Sequence, residues 1–530
     1  MKYFLIYLFP AFLLAQTPTI QWQKIFSRPD NSVSFERLMN IVQTTDGGYI
    51  MSGGSSSYIP NTDQDFYIVK TDAQGNLEWQ KIIGGNALDY LPYIKQTTDG
   101  GYIIGGTSAS NISGQKTQNS KGSADYWILK LDALGNIVWQ KTIGGSSPDV
   151  LASIEQTTDG GYILGGESES NISGDKTEHR IGYIENVYQG YSDYWVVKIN
   201  SIGDIEWQNT IGGDNGDFGG NTIQTQDGGY IVTGTSYSAI SGDKSENNMG
   251  SRDYWVVKLD STGVIEWENT IGGDDKDECY AVIESADGGY VIGGRSWSSI
   301  SGDKTEALSN PNFSGWVLKL NGQGNIVWQN TIGGDVAETL ASISQTIDGG
   351  YILALYSNSG VFGDKTEISR GATDYWIVKI DANGTVLWDK TIGGSANDVL
   401  TDVIQTSDGG YMLAGLSQSP ISGDKTSISS ERSDFWIVKL SPENLTTKNF
   451  TTTNVQVYPN PTTKMVSINF PQQYKKLAVT VVTVLGQMVQ EQKFTNMSKI
   501  NLDINGAKGI YFVNVVNENN EKLVFKVIKE

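Results

Sequence analysis

Ten residues ahead of each Asp-Gly-Gly tripeptide in the chain stands a carboxylate: Glu36, Asp89, Asp149, Asp217, Asp277, Glu338 and Asp398. If the strands that follow line a channel, these seven acids ring one of its mouths. Like charges so placed could draw a cation or a basic group of a ligand. Calcium is a metal such a ring could take, although the sequence implies no cofactor. The opposing reading is that each acid bonds its own turn backbone and recurs because the units recur. A second group is Ser-Gly-Asp-Lys-Thr, at Ser173 to Thr177 and Ser301 to Thr305, with variants at Ser113, Ser241, Phe362 and Ser422. Its lysines, Lys176 among them, could neutralise the acids, and the motif is too short to cradle phosphate. A third group is the loop Glu178 to Ser192, with His179, Tyr183, Tyr188 and Tyr191. It could stack on a sugar or grip a protein, or be a plain exposed insertion. With one His and one Cys, His179 and Cys279, no catalytic constellation and no zinc signature is recognised.

Repeats supply the elements that hold these residues. Asp-Gly-Gly-Tyr begins at Asp46, Asp99, Asp159, Asp227, Asp287, Asp348 and Asp408, between two strand-like stretches. A second motif, Asp-Tyr-Trp followed by two aliphatics and Lys, begins at Asp65, Asp125, Asp193, Asp253, Asp374 and Asp434, with Gly315 standing in for the Asp in the fifth copy. An alternating strand with Trp79, Trp139, Trp207, Trp267, Trp328 or Trp388 follows. Each unit thus offers four strands, the content of a propeller blade. Length varies almost only between the second and third strands, so that loop class is where insertions are tolerated. The seventh unit lacks a fourth strand, and Ile20 to Lys24 matches the missing piece. The expected fold class is all-β: a seven-bladed β-propeller over residues 16–440, closed by its N-terminal strand, then a small β-sandwich. The repeated tryptophans and strand lysines (Lys70, Lys130, Lys198, Lys258, Lys319, Lys379, Lys439) read as packing and pairing between blades. The run Asp125 to Asp132, with Gly135 to Trp139, Ile143 to Gly145 and Asp159 to Gly165, resembles the bacterial seven-bladed β-propeller repeat family. That family implies a fold and an exported setting, with no common activity.

Residues 1–15 read as a signal peptide, with Lys2 ahead of an apolar run and Ala15 at the cleavage point. No later stretch is long and apolar enough to span a bilayer. The net charge of −21 argues against nucleic acid. Residues 441–454 are polar and read as a linker. In 455–530, Tyr458-Pro459-Asn460-Pro461, the Val484 to Val489 run with Gly486, Gly509 to Val513 with Tyr511, and a last strand with Lys526 resemble the type A C-terminal sorting domain of the type IX secretion system of Bacteroidota. The resemblance implies passage through that machinery to the outer surface, removal of the domain, and release or attachment to lipopolysaccharide.

The leading functional expectation is an exported, non-enzymatic binding module for a glycan or protein. Its rivals are a carbohydrate-active enzyme using carboxylates at the channel mouth and a structural surface-layer component. Enzyme sites break symmetry, whereas the seven acid positions are nearly alike, which weighs against the enzyme.

Overall fold

The computed structural model describes residues 17–29, 34–57, 64–182, 191–429, 432–443, 455–483, 488–517 and 522–530. The expected signal peptide and most of the expected linker lie outside them, as do Tyr183, Tyr188 and Gly486. Every described element is a strand. The chain divides into two compact units, one spanning Thr17–Pro442 and the other holding Glu443–Glu530.

The larger unit contains seven four-stranded antiparallel sheets. One is formed by Asp149–Gln156, Tyr162–Ser168, Asp193–Ile199 and Ile205–Ile211, in that order. Its third strand, Asp-Tyr-Trp-Val-Val-Lys-Ile, is buried from end to end, which is why its aliphatics run unbroken where the outer strand alternates. The turn between the first two strands needs a positive φ at Gly160 (+85°), and Asp159 fixes it by accepting from the Gly161 amide at 2.8 Å. Asp159 also pairs with Lys198 at 2.9 Å, and the six other strand lysines pair in the same way with the Asp-Gly-Gly aspartate of their own sheets. These lysines therefore lock a sheet internally rather than joining blades. The carboxylates gain enough from the contact to fall to about 2 at Asp46, Asp99, Asp159 and Asp287, hydrogen bonds and the lysine charge outweighing partial burial.

Register corrects the reading of the fifth motif. Ser296 pairs with Ser314 as Ser236 pairs with Asp253, so Ser314 holds the Asp position and Gly315 the Tyr position. Ser314 to Asp348 then spans the same 34 residues as Asp253 to Asp287.

Three recurring sets of contacts are among those that join neighbouring sheets. Tryptophans of the fourth strands sit edge-on to the next sheet's tyrosine, as in Trp139 with Tyr162 (6.0 Å between centroids) and Trp207 with Tyr230 (5.4 Å). Glutamines ending the first strands accept from the neighbouring turn, as Gln156 does from Thr98 N at 2.8 Å. Side chains at the bulge of the first strands bond the adjacent first strand, as Asn40 does with Ile94 N (3.0 Å) and O (2.9 Å). All three recur between the seventh sheet and the first. Trp22 meets Tyr49 at 6.2 Å, Ser407 N donates to Gln43 at 2.8 Å, and Ile41 N donates to Asp402 at 3.0 Å. Ile20–Phe26 pairs antiparallel with Asp434–Leu440 as the outer strand of that seventh sheet.

The smaller unit is one five-stranded sheet rather than the expected two-sheet sandwich. Two long strands, Met465–Thr483 and Met488–Asp503, pair along most of their length and shift register between Asn469 and Tyr474. The sheet curls there into a half-barrel around Val466, Ile468, Val479, Val481, Val513 and Val527. Nineteen residues is far beyond a usual strand, and a bulge lets one strand serve both ends of the curl.

Candidate functional site

All seven expected acids are fully buried, at 0 % exposure. Asp149 Oδ2 accepts from the Gly145 amide at 2.6 Å and from Ser170 Oγ at 3.1 Å, and Asp89, Asp217, Asp277 and Asp398 repeat this pattern. The acids therefore organise their own turns, and none reaches the central space as a ring of free charge. Burial pushes them up, to about 7 for Glu36 and Asp149 and about 6 for Asp217. The third-strand Asp of the preceding sheet adds to the push: Asp125 on Asp149, Asp434 on Glu36. Where that Asp is replaced by Ser314, the Asn310 amide reaches Glu338 at 3.3 Å.

The Ser-Gly-Asp-Lys loops are the acids' counterpart. Asp175 N donates to Gly144 O at 2.9 Å while Gly144 N donates back to Asp175 Oδ2 at 3.1 Å, clamping the loop to the turn that carries Asp149. Lys176 is 2 % exposed, bonds Thr210 Oγ1 at 2.5 Å and lies 5.0 Å over the Trp195 ring. Burial lowers it to about 8, opposed by Asp149 and Asp193. The lysine acts on the acids through charge, while its hydrogen bond goes to a hydroxyl. His179 is exposed, whereas Arg180 beside it is buried and donates to Tyr191 O at 2.9 Å.

The space the first strands enclose is a cavity of about 1190 Å³ lined from all seven sheets. Its lining departs from the repeat. The residue after each buried acid is in turn Arg37, Tyr90, Val150, Phe218, Glu278, Thr339 and Val399, and all of these but Tyr90 and Val150 line the cavity. Arg252, Glu278 and Arg295 form a charged cluster on its wall. Arg295 Nε reaches Glu278 at 2.6 Å, Arg252 pairs with the same carboxylate, and the Tyr280 hydroxyl donates to it. Burial would raise the Glu278 carboxyl, but the tyrosine hydroxyl and both guanidiniums outweigh it and hold it below the usual range. Arg252 lies over Tyr237 at 5.2 Å, and Arg295 lies over Trp297 at 4.8 Å and Tyr280 at 5.4 Å. Phe218, 38 % exposed, meets Tyr237 edge-on at 5.6 Å. Sequence reasoning missed this cluster. Its signal was present in the few positions where otherwise matching repeats carry unlike residues. The symmetry argument against a specific site fails with it, because the alike positions are the buried ones.

In the smaller unit the sorting-motif residues serve one another. Asn460 donates to Lys526 O at 2.7 Å and accepts from Ile528 N at 2.8 Å, fastening the Tyr-Pro-Asn-Pro segment to the last strand. The Tyr458 hydroxyl accepts from Asn469 at 2.9 Å. Tyr511 is 5 % exposed and donates to Ala507 O at 2.6 Å, and Gly509 opens the Tyr511 strand.

Residues 456–530 match the secretion system C-terminal sorting domain family, the tail of type IX secretion. This tail directs the chain to the secretion machinery and to the cell surface or outer membrane. A curated relative, regulatory protein FlaEY of Caulobacter vibrioides, is 22% identical over 250 residues, which cover 44% of this chain. The chain spans about a quarter of that relative's length (26%). Solved structures with similar outlines include a Dyadobacter fermentans protein of unknown function (10% identity, 80% of this chain and 99% of that one, TM-score 0.43). A Penicillium chrysogenum α-L-arabinanase bound to arabinobiose is another (13% identity, 80% and 98% coverage, TM-score 0.38). At these TM-scores the likenesses lend no support to a function, and the fold rests on the sheets themselves.

Proposed function

We propose that residues 17–442 form a closed seven-bladed β-propeller that works as a non-enzymatic binding module on the cell surface. The ligand sits in the central cavity, and the sorting tail delivers the module before removal, release or attachment to lipopolysaccharide. One observation carries the reading. The contacts that hold the sheets together repeat, while the cavity wall is singular, with Arg252, Glu278, Arg295 and aromatic rings gathered on one side. A cavity with a few convergent polar groups on an otherwise regular scaffold is where a ligand is expected. A glycan array probed with the full chain tests it. Phe218→Ala and Tyr237→Ala should abolish the signal that Val138→Ser, on an exposed outer strand, leaves intact. Binding indifferent to both cavity substitutions would place the site elsewhere.

Glycan hydrolysis has one observation in its favour. Glu167 accepts from the Gly219 amide beside the cavity at 2.7 Å, and burial pushes it up to about 7 while Glu278 is held low. Two carboxyls driven apart in this way suit an acid and a base. Release of reducing ends that is lost in Glu167→Gln would favour the enzyme over the binder.

A further inference from the structure

The loops between second and third strands carry a surface that the cavity does not use. In the second and fourth sheets, the aliphatic ahead of the Ser-Gly turn has its amide capped from seven residues on. Ile112 N donates to Asn119 at 2.9 Å, and Ile240 N to Asn247 at 3.1 Å. The two positions are therefore neighbours in the loop. In the sixth and seventh sheets Ile368 and Ile428 hold the later position, where the other loops carry Asn119, His179, Asn247 and Ala307. Val361 and Ile421 thus gain an aliphatic beside them. The sixth loop adds Phe362, where the other five loops carry serine. Val361, Phe362, Ile368, Ile421 and Ile428 are all between 52% and 77% exposed. The two loops touch: Arg370 Nε of the sixth pairs with Asp424 of the seventh at 2.5 Å, and the arginine stem lies against Gly423. Their backbones are pinned, because Asp364 N donates to Gly333 O at 3.0 Å and Asp424 N to Gly393 O at 2.8 Å. None of the five side chains lines the cavity. Single exposed aliphatics are ordinary, but five gathered on two clamped loops form a patch that calls for a partner.

Charge narrows the choice of partner. Asp335 accepts from the Gly360 amide at 2.9 Å, and Asp364 accepts from the Gly333 amide at 3.0 Å. Burial raises the Asp364 carboxyl, and the charge of neighbouring Glu306 raises it further. Glu367 and Asp424 complete an acidic rim. Against these five carboxyls stand Arg432 and Arg370, and Arg370 is already paired with both Glu367 (3.2 Å) and Asp424. The loop lysines add nothing at the surface. Lys365 and Lys425 are each 1% exposed, over the rings of Trp376 and Trp436, and face acids of the interior. A second copy seated on this patch would set one acidic rim against another, and an anionic lipid surface is repelled for the same reason. A basic surface that brings its own apolar side chains meets both the patch and its rim.

We propose that the sixth and seventh loops dock a basic protein partner, whose apolar side chains cover Val361, Phe362, Ile368, Ile421 and Ile428 while its cations meet the acidic rim. This surface is separate from the cavity and stands whatever the cavity binds. The test is fluorescence anisotropy of the full chain with three labelled peptides of equal length, built of lysine and leucine, of lysine and serine, and of glutamate and leucine. The lysine–leucine peptide should bind about tenfold or more tightly than either of the others, and added salt should weaken it. Phe362→Ser, Ile368→Asn and Ile428→Asn install residues that sister loops already carry at these positions, so the loops should keep their fold, as tryptophan emission will verify. Combined in one chain, they should reduce binding to the level of the lysine–serine peptide. Val138→Ser and Val327→Ser, which remove exposed aliphatics from outer strands, should leave it unchanged. Equal binding of the two lysine peptides, equal binding of the glutamate peptide, a triple variant that binds like wild type, or no binding at all would each overturn the proposal. Binding lost in Phe218→Ala would move the peptide to the cavity and overturn it too. Light scattering that finds a dimer abolished by the triple variant would assign the patch to a second copy instead.

Discussion

Replacing Trp22 with alanine tests whether the N-terminal strand holds the last sheet as the other outer strands hold theirs. Trp22 lies against Gly75 and Tyr49 of the first sheet, just as Trp139 lies against Gly203 and Tyr162 of the third. Both indoles are half-buried. Full burial of a tryptophan makes its truncation cost ~3–5 kcal/mol, so half-burial gives about 2. Loss of the edge-on ring pair adds roughly 0.5–1.5 kcal/mol. Each variant should therefore lose about 3 kcal/mol, and the two losses should agree within roughly 0.5 kcal/mol, because the environments are equivalent. Urea unfolding followed by tryptophan emission is the assay. All 14 tryptophans precede Pro442, so the signal reports the larger unit alone. A Trp22→Ala chain as stable as wild type, beside a Trp139→Ala chain weakened by about 3 kcal/mol, would refute closure by the N-terminal strand.

Stability of the same unit should fall as pH rises from about 4 towards 8. Glu36, Asp149, Asp193, Asp217, Asp253 and Asp374, raised to between about 6 and about 8, keep protons in the folded chain that the unfolded chain releases near pH 4. Above about pH 8 the sign reverses, because Lys116, Lys176, Lys304, Lys365 and Lys425 lose protons early in the folded state. Urea midpoints across pH should therefore show a minimum near 8, and a monotonic rise from pH 5 to 8 would contradict this. Lys176→Met should cost ~1–2 kcal/mol at pH 5, where protons neutralise Asp149 and Asp193, and more at pH 7, where Asp149 begins to ionise while Lys176 keeps its proton. Equal losses at both values would remove the lysine from that role. A chain ended before Lys522 loses Leu523 and Val527 from the small core and the strand that Asn460 grips. Cell fractionation should find it retained inside rather than at the surface.

Much of the larger unit was legible because its elements repeat. Seven turn motifs, the tryptophan spacing and the Ile20 to Lys24 match announced the sheets, and the register follows from the turns. The misplacement at Gly315 came from anchoring on the missing aspartate, when the tryptophan that follows fixes the register. The curl of the smaller sheet was hidden, since a strand that bends at a bulge reads in sequence as two shorter strands. The arginine cluster was hidden for another reason. Repetition draws attention to positions that agree, such as Asp149 and its equivalents, and those positions proved to be the interior of the turns. Arg252, Glu278 and Arg295 occupy positions with no consensus, and only the sheet geometry shows that they meet.

The clamp between the Ser-Gly-Asp-Lys loop and its turn has an evolutionary consequence. Each sheet after the first brings its own acid, lysine and loop, and shares a recurring set of Trp, Tyr, Gln and bulge contacts with its neighbours. The wall residues take no part in that set, except at the bulge and at strand-end glutamines such as Gln43 and Gln405. A unit is therefore an exchangeable part: duplication or recombination at the 53- to 68-residue repeat would carry a new wall segment into place with most of the seam contacts kept. Ligand preference in such a chain can drift quickly by shuffling, while the architecture stays under steady selection.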